Sequence, residues 1–108
     1  MKLDICNWRV EQYCENDLHA IDVFSPRNHD DIIFVLNVII QKFNAKVEKT
    51  SIGPYYTMTY LSIQNIPVAF IADDAEGYPI SITCKDKHAL PLMDTIATVL
   101  KPELCPSN

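Results

Sequence analysis

The sequence predicts an α+β domain: an antiparallel β-meander of about four to six strands covered by two α-helices, in the order β(β)-α-β-β-β-β-α. Three observations predict it. A long apolar stretch opening at Ile32 carries large side chains at i, i+4, i+7 and i+11, a helical spacing. From Ala45 to Cys84 the texture changes to short alternating runs separated by turn residues. A second amphipathic stripe, again at helical spacing, closes the chain.

Residues 3–10 alternate loosely and read as a strand, residues 11–17 as a polar connection, and residues 18–24 as a better strand. A helix then opens. Asn28 caps its free amides, and Asp30 and Asp31 sit in the first turn, where the helix dipole favours anions. Ile32, Leu36, Ile39 and Phe43 form the stripe expected to face the sheet, and Asn44 is a left-handed stop. Ile33, Phe34, Val35, Val38 and Ile40 make this helix apolar nearly all round. Such a helix is covered on more than one side, here by a sheet and by another element or subunit.

Strands are expected over residues 45–52, 55–64, 66–72 and 78–84. Gly53-Pro54 and Asn65 break the first three apart, and Asp73-Asp74-Ala75-Glu76-Gly77 forms a hairpin loop before the fourth. In the second of these strands Tyr56, Met58 and Tyr60 share one face, while Tyr55, Thr57, Thr59, Leu61 and Ile63 share the other. Pro67 and Pro79 each remove a ladder donor and so belong at strand starts or edges. Asp86 caps a final helix with Pro91 in its first turn and Met93, Ile96, Val99 and Leu100 as its stripe. Lys101-Pro102 is expected to end it, leaving residues 103–108 as a loose tail of a single domain spanning 1–108.

The chain has 108 residues, 48% apolar and 21% charged, which is enough apolar surface for one folded core. Only two glycines are present, Gly53 and Gly77, so a glycine-rich phosphate loop is excluded. The formal net charge of −5 opposes binding to nucleic-acid phosphates and to anionic membranes, and suits a basic protein partner. No apolar run approaches the ~20 residues of a membrane span. The N-terminus, Met1-Lys2-Leu3-Asp4, has no run like a signal peptide, so the expectation is a cytoplasmic protein. Its four cysteines, Cys6, Cys14, Cys84 and Cys105, are then expected as free thiols.

Cys84 with His88 is the sharpest catalytic pair, because a thiolate nucleophile needs a base close by and gains from a helix N-terminus. Cys84 also continues the inward row of Ile80 and Ile82, where a cysteine serves as a small core hydrophobe. The cysteines with His19, His29 and His88 could supply zinc ligands, but none shows paired C-x-x-C spacing, so no metal or cofactor is expected. Asp73, Asp74 and Glu76 crowd one hairpin too short for an EF-hand loop; they are either a solvated turn or a negatively charged binding knob. Tyr55, Tyr56, Tyr60 and Tyr78, with Trp8, are interface candidates or sheet packing. Lys46 and Lys49, and Lys85 and Lys87, are interleaved with Glu48 and Asp86 and make no basic stripe.

The reading this favours is a non-catalytic protein-binding module. Its most concrete version is a small acidic bacterial immunity or antitoxin-type protein that blocks a basic nuclease toxin by occlusion. The expected contact residues are Asp73, Asp74, Glu76 and Tyr78, with Asp30 and Asp31, and Asp22 beside them. Two other readings stay open: a small enzyme or ligand-binding domain using Cys84 and His88, and an oligomerising accessory domain, with a homodimer suggested by the apolar first helix.

Overall fold

The structure is a computed structural model that describes residues 9–24, 29–73, 79–86 and 88–104. Its strands are β1 (Arg9–Glu15), β2 (Leu18–Phe24), β3 (Lys46–Ile52), β4 (Tyr56–Ile63), β5 (Ile66–Asp73) and β6 (Ile80–Cys84). Helix α1 (His29–Phe43) follows β2, and α2 (Leu90–Leu104) closes the chain. The expected α+β order is therefore present. All strands join one antiparallel sheet in the order β1-β2-β6-β5-β4-β3. The last four strands of the chain form the meander, and the β1–β2 hairpin adds to it through β2 and β6.

Residues 11–17 are not a connection. β1 pairs with β2 residue for residue from Arg9↔Phe24 to Glu15↔Leu18. An edge strand with both sides near solvent tolerates polar side chains, so its composition conceals the strand while backbone pairing holds it. The turn is only Asn16 and Asp17, both left-handed at φ 51° and 65°. Gln64 and Asn65, at φ 54° and 64°, close the β4–β5 hairpin in the same way. Both are two-residue hairpins whose backbone twist matches that of the strands. Asn44, at φ 51°, ends α1, and the amide of Ala45 reaches back to the Ile40 carbonyl at 3.1 Å.

Both helices lie on one face of the sheet. The inward residues Ile21, Val23, Leu61, Phe70 and Ile82 meet Val35 and Ile39 of α1 and Met93, Ile96 and Leu100 of α2. The buried row of α1 is Asp31, Val35 and Ile39. Of the stripe expected to face the sheet, Ile39 is buried, whereas Ile32, Leu36 and Phe43 are half-buried on its flank. The spacing was right in period and displaced in phase, because α1 is apolar on several faces and its own pattern cannot choose among them. Its other flank approaches α2, where Lys42 pairs with Glu103 at 3.0 Å.

Helix α2 continues through Pro102 to Leu104. Leu104 is fully buried, and this packing holds a last turn that the proline would otherwise end. Glu103 and Leu104 thus belong to the helix, not to a tail. At the other end, Asp86 shapes the turn ahead of α2. Its carboxylate accepts the His88 amide at 2.8 Å and its carbonyl accepts the Ala89 amide at 3.0 Å. Among the described residues no helix is long and apolar enough to cross a membrane.

Candidate protein-binding face

With both helices on one side, the opposite face of the sheet carries no helix among the described residues. Register and alternation identify its side chains. β1 supplies Arg9, Glu11, Tyr13 and Glu15, and β2 supplies Leu18, Ala20, Asp22 and Phe24. β6 adds Ser81 and Thr83, and β5 adds Pro67, Ala69, Ile71 and Asp73. Tyr56, Met58, Tyr60 and Ser62 follow on β4, then Lys46, Lys49 and Ser51 on β3. The grouping of Tyr56, Met58 and Tyr60 is the one expected from the sequence. These rings do not pack away: Tyr13, Tyr56 and Tyr60 remain 43, 43 and 40% exposed.

Acidic side chains gather on the β1–β2 side of the face. On the β1–β2 side, Glu11, Glu15 and Asp22 surround Tyr13. Asp22 accepts the Ser81 hydroxyl at 2.9 Å and a longer contact from the Tyr13 hydroxyl at 3.4 Å. The Tyr13 pKa is raised, first by partial burial and then by the charge of Asp22, the bond to Asp22 and the charge of Glu15. Arg9 pairs with Glu11 at 3.0 Å and lies over the Phe24 ring at 4.1 Å, so this cation is already engaged. On the β3 side, Lys46 stands opposite Ser62 and Lys49 opposite Tyr60. Lys85 lines this end of the face together with Glu48 and Asp86, so Lys46, Lys49 and Lys85 stand among carboxylates there, and Lys87 lies outside the described residues.

Between the two sides the floor is small. The row Tyr13, Ala20, Thr83, Ala69, Tyr60 and Lys49 crosses the sheet, with a tyrosine near each end and Ala or Thr between. Small side chains between large ones leave a concavity of about 530 Å³ whose lining includes Tyr60, Ser62, Ala69 and Thr83 and the charged residues Glu48, Lys85 and Asp86. A second, smaller cavity of about 150 Å³ lies on the helix side, between Ile32, Ile33 and Leu36 of α1 and Thr57, Thr59, Phe70 and Ala72 of the sheet.

Of the residues expected to bind a partner, Asp74, Glu76 and Tyr78 lie outside the described residues, as does Trp8. Asp73 ends β5 on the open face, half-buried, opposite Tyr56. Asp30 is exposed in the first turn of α1, on the other side of the sheet from Asp22. Asp31 is only 5% exposed, so its carboxylate belongs to the interior side of that turn and not to a contact surface. Asp22, Asp30 and Asp31 therefore do not form one patch. Sequence reasoning missed Glu11, Tyr13 and Glu15 because residues 11–17 read as a loop. Their alternation, E-x-Y-x-E, was the available signal.

Cys84 is buried at 2% exposure and donates its thiol to the Pro67 carbonyl at 3.2 Å, not to His88. Burial pushes its pKa up, with Asp86 contributing in both directions, so the thiol stays protonated at neutral pH. That environment opposes the nucleophile role. Cys14, His19 and Cys84 occupy consecutive register positions across β1, β2 and β6. Even so, among the described residues no group of three His, Cys, Asp or Glu side chains is placed to hold a metal ion. Cys14 and Cys84 are free thiols. No family model, curated protein or solved structure matches the chain.

Proposed function

We propose that this protein is a non-catalytic binding module that takes a basic protein partner on the acidic half of its open sheet face. The observation that supports it is the setting of Tyr13: an exposed ring, on a face that carries no helix among the described residues, ringed by Glu11, Glu15 and Asp22. A tyrosine contributes contact area at low entropic cost, and the carboxylates around it steer a cationic surface and fix its orientation. The net charge of −5 extends that steering to long range. The most concrete form of the reading is an immunity or antitoxin-type protein of a bacterial cytoplasm, which occludes a basic nuclease toxin. Occlusion needs only a complementary face and requires no reaction from Cys84 or His88.

The test is a comparison of wild type with Glu11→Lys/Glu15→Lys as baits in lysate of the native host. The basic protein retained by wild type is then purified and its affinity measured at two salt concentrations. Wild-type binding should weaken as salt rises, and the double variant should lose at least about 2 kcal/mol of binding free energy. Retention of the same proteins by both baits, with equal affinity and salt slope, would refute the reading.

A further inference from the structure

We infer that two copies of this chain pair edge to edge through residues 50–52 of β3, about a two-fold axis perpendicular to the sheet and midway between the two Ser51 residues. β3 lies at the opposite end of the strand order from β1 and Tyr13, so this contact does not rest on the basic partner proposed above. Its grounds are the backbone groups that β3 leaves unpaired, the apolar side chains beside them, and the one register that suits both.

β3 is an end strand, exposed along its whole length. Its bonding alternation follows from the hairpin that joins it to β4. The Gly53 amide donates to the Tyr56 carbonyl at 2.8 Å, so Gly53 and Tyr56 form a hydrogen-bonded pair. Bonded and non-bonded pairs alternate along an antiparallel ladder. Ser51↔Met58 and Lys49↔Tyr60 are then bonded pairs, whereas Ile52↔Thr57 and Thr50↔Thr59 are not. The N–H and C=O groups of Thr50 and Ile52 therefore point away from β4, where no strand follows among the described residues. The other half of the edge is blunted: the register shifts between Val47 and Lys49, and Lys46, Glu48 and Lys49 are charged. Residues 50–52 carry neither bulge nor charge. The most exposed large apolar side chains among the described residues, Ile52 at 82% and Tyr55 at 74%, sit at this uncharged end, with Val47 exposed further along. Unpaired strand backbone beside exposed apolar surface is a template for another strand.

A two-fold perpendicular to the sheet sets one residue opposite its own copy, and the candidates on this edge are Lys49, Thr50, Ser51 and Ile52. Lys49 opposite Lys49 juxtaposes like charges. Thr50 opposite Thr50 sets Ile52 against Glu48 at the bulge. Ile52 opposite Ile52 sets Thr50 against Pro54, which has no N–H to give. Ser51 opposite Ser51 meets none of these conflicts. Thr50 of each copy then stands opposite Ile52 of the other, each pair exchanging two N–H···O=C bonds. Lys49 falls opposite Gly53, which presents no side chain. The turn holding Tyr55 comes beside Val47 of the other copy, so two exposed apolar residues gain cover, twice by symmetry. Because both copies use the same segment, the pairing closes at two chains. A contact this short is of the weak, reversible class, with a dissociation constant between about 10 µM and about 500 µM.

The experiment is sedimentation equilibrium of the full chain from about 10 µM to about 1 mM, across which wild type should dimerise reversibly. Ile52→Lys places a charge on the unpaired segment at a site already open to solvent. Circular dichroism should show it folded, while its dissociation constant rises at least about tenfold. Thr50→Pro removes an N–H that β4 does not use and should weaken the dimer likewise. Register is read separately by cross-linking with oxidised glutathione, with wild type setting the background from the native thiols. Ser51→Cys should form a disulfide-linked dimer at least about tenfold faster than Lys49→Cys, with peptide mapping placing the bond at position 51 of both chains. A wild type that stays monomeric to about 1 mM overturns the inference. So does a dimer that Ile52→Lys leaves unchanged, or equal cross-linking rates at positions 51 and 49. These outcomes are read without any other protein, so they stand apart from success or failure in finding a basic partner.

Discussion

The surroundings of Cys84 and Tyr13 raise the pKa of each. Cys84 is buried and bonded to a carbonyl, so its folded pKa lies above the unfolded value. A raised acid pKa contributes stability that is present below about pH 8.5, where the unfolded thiol is still protonated, and is lost as pH rises through the folded pKa. Tyr13 acts in the same direction at higher pH, through burial and its acidic neighbours. Unfolding free energy should therefore fall as pH rises from 8 towards 10, measured by urea titration at each pH; a rise across that window would contradict the assignment. Peptide mapping after alkylation of the native protein at neutral pH should find Cys14 labelled and Cys84 protected. Rapid labelling of Cys84 would restore the case for a reactive thiol.

At the scale of elements, α1 is held by a row, not by its whole apolar surface. Ile39 is fully buried, so Ile39→Ala should cost about 2–5 kcal/mol, whereas Ile33→Ala, at a site 44% exposed, should cost under about 0.5 kcal/mol. Equal losses in denaturant unfolding would mean that α1 is turned differently on the sheet. The β4–β5 turn offers a change of opposite sign. Gln64 and Asn65 both hold left-handed backbone without a glycine. Asn-Gly is the preferred pair for such a turn, so Gln64→Asn/Asn65→Gly should raise stability by about 1 kcal/mol. A drop in the unfolding midpoint would show that the turn is not strained in this way.

For the whole molecule, the asymmetry of its two faces matters most. One carries both helices and the core; the other carries Tyr13, Tyr56 and Tyr60, the carboxylates of β1 and β2, and a β3 end where Lys46 and Lys49 flank Glu48. The radius of gyration of one chain is 13.2 Å.

The sequence by itself determined the class and order of the elements, because periodicity and turn chemistry are local. Asn44 ends α1 where expected, Asn65 turns the hairpin, and Tyr56, Met58 and Tyr60 share a face. It also determined the net charge. The tertiary structure decided the rest. β1 was hidden because an edge strand of polar residues has no apolar alternation to betray it. The buried row of α1 depended on which neighbour lay on which flank. The acidic patch and the β3 end are long-range objects: Glu11 and Asp22 meet through β1–β2 register, and Lys49 comes to Tyr60 through β3–β4 pairing. Above all, both helices chose the same side of the sheet. No single element encodes that choice, since it follows from packing two apolar helices on the one sheet face whose rows are continuously apolar, and it leaves the other face without a helix among the described residues.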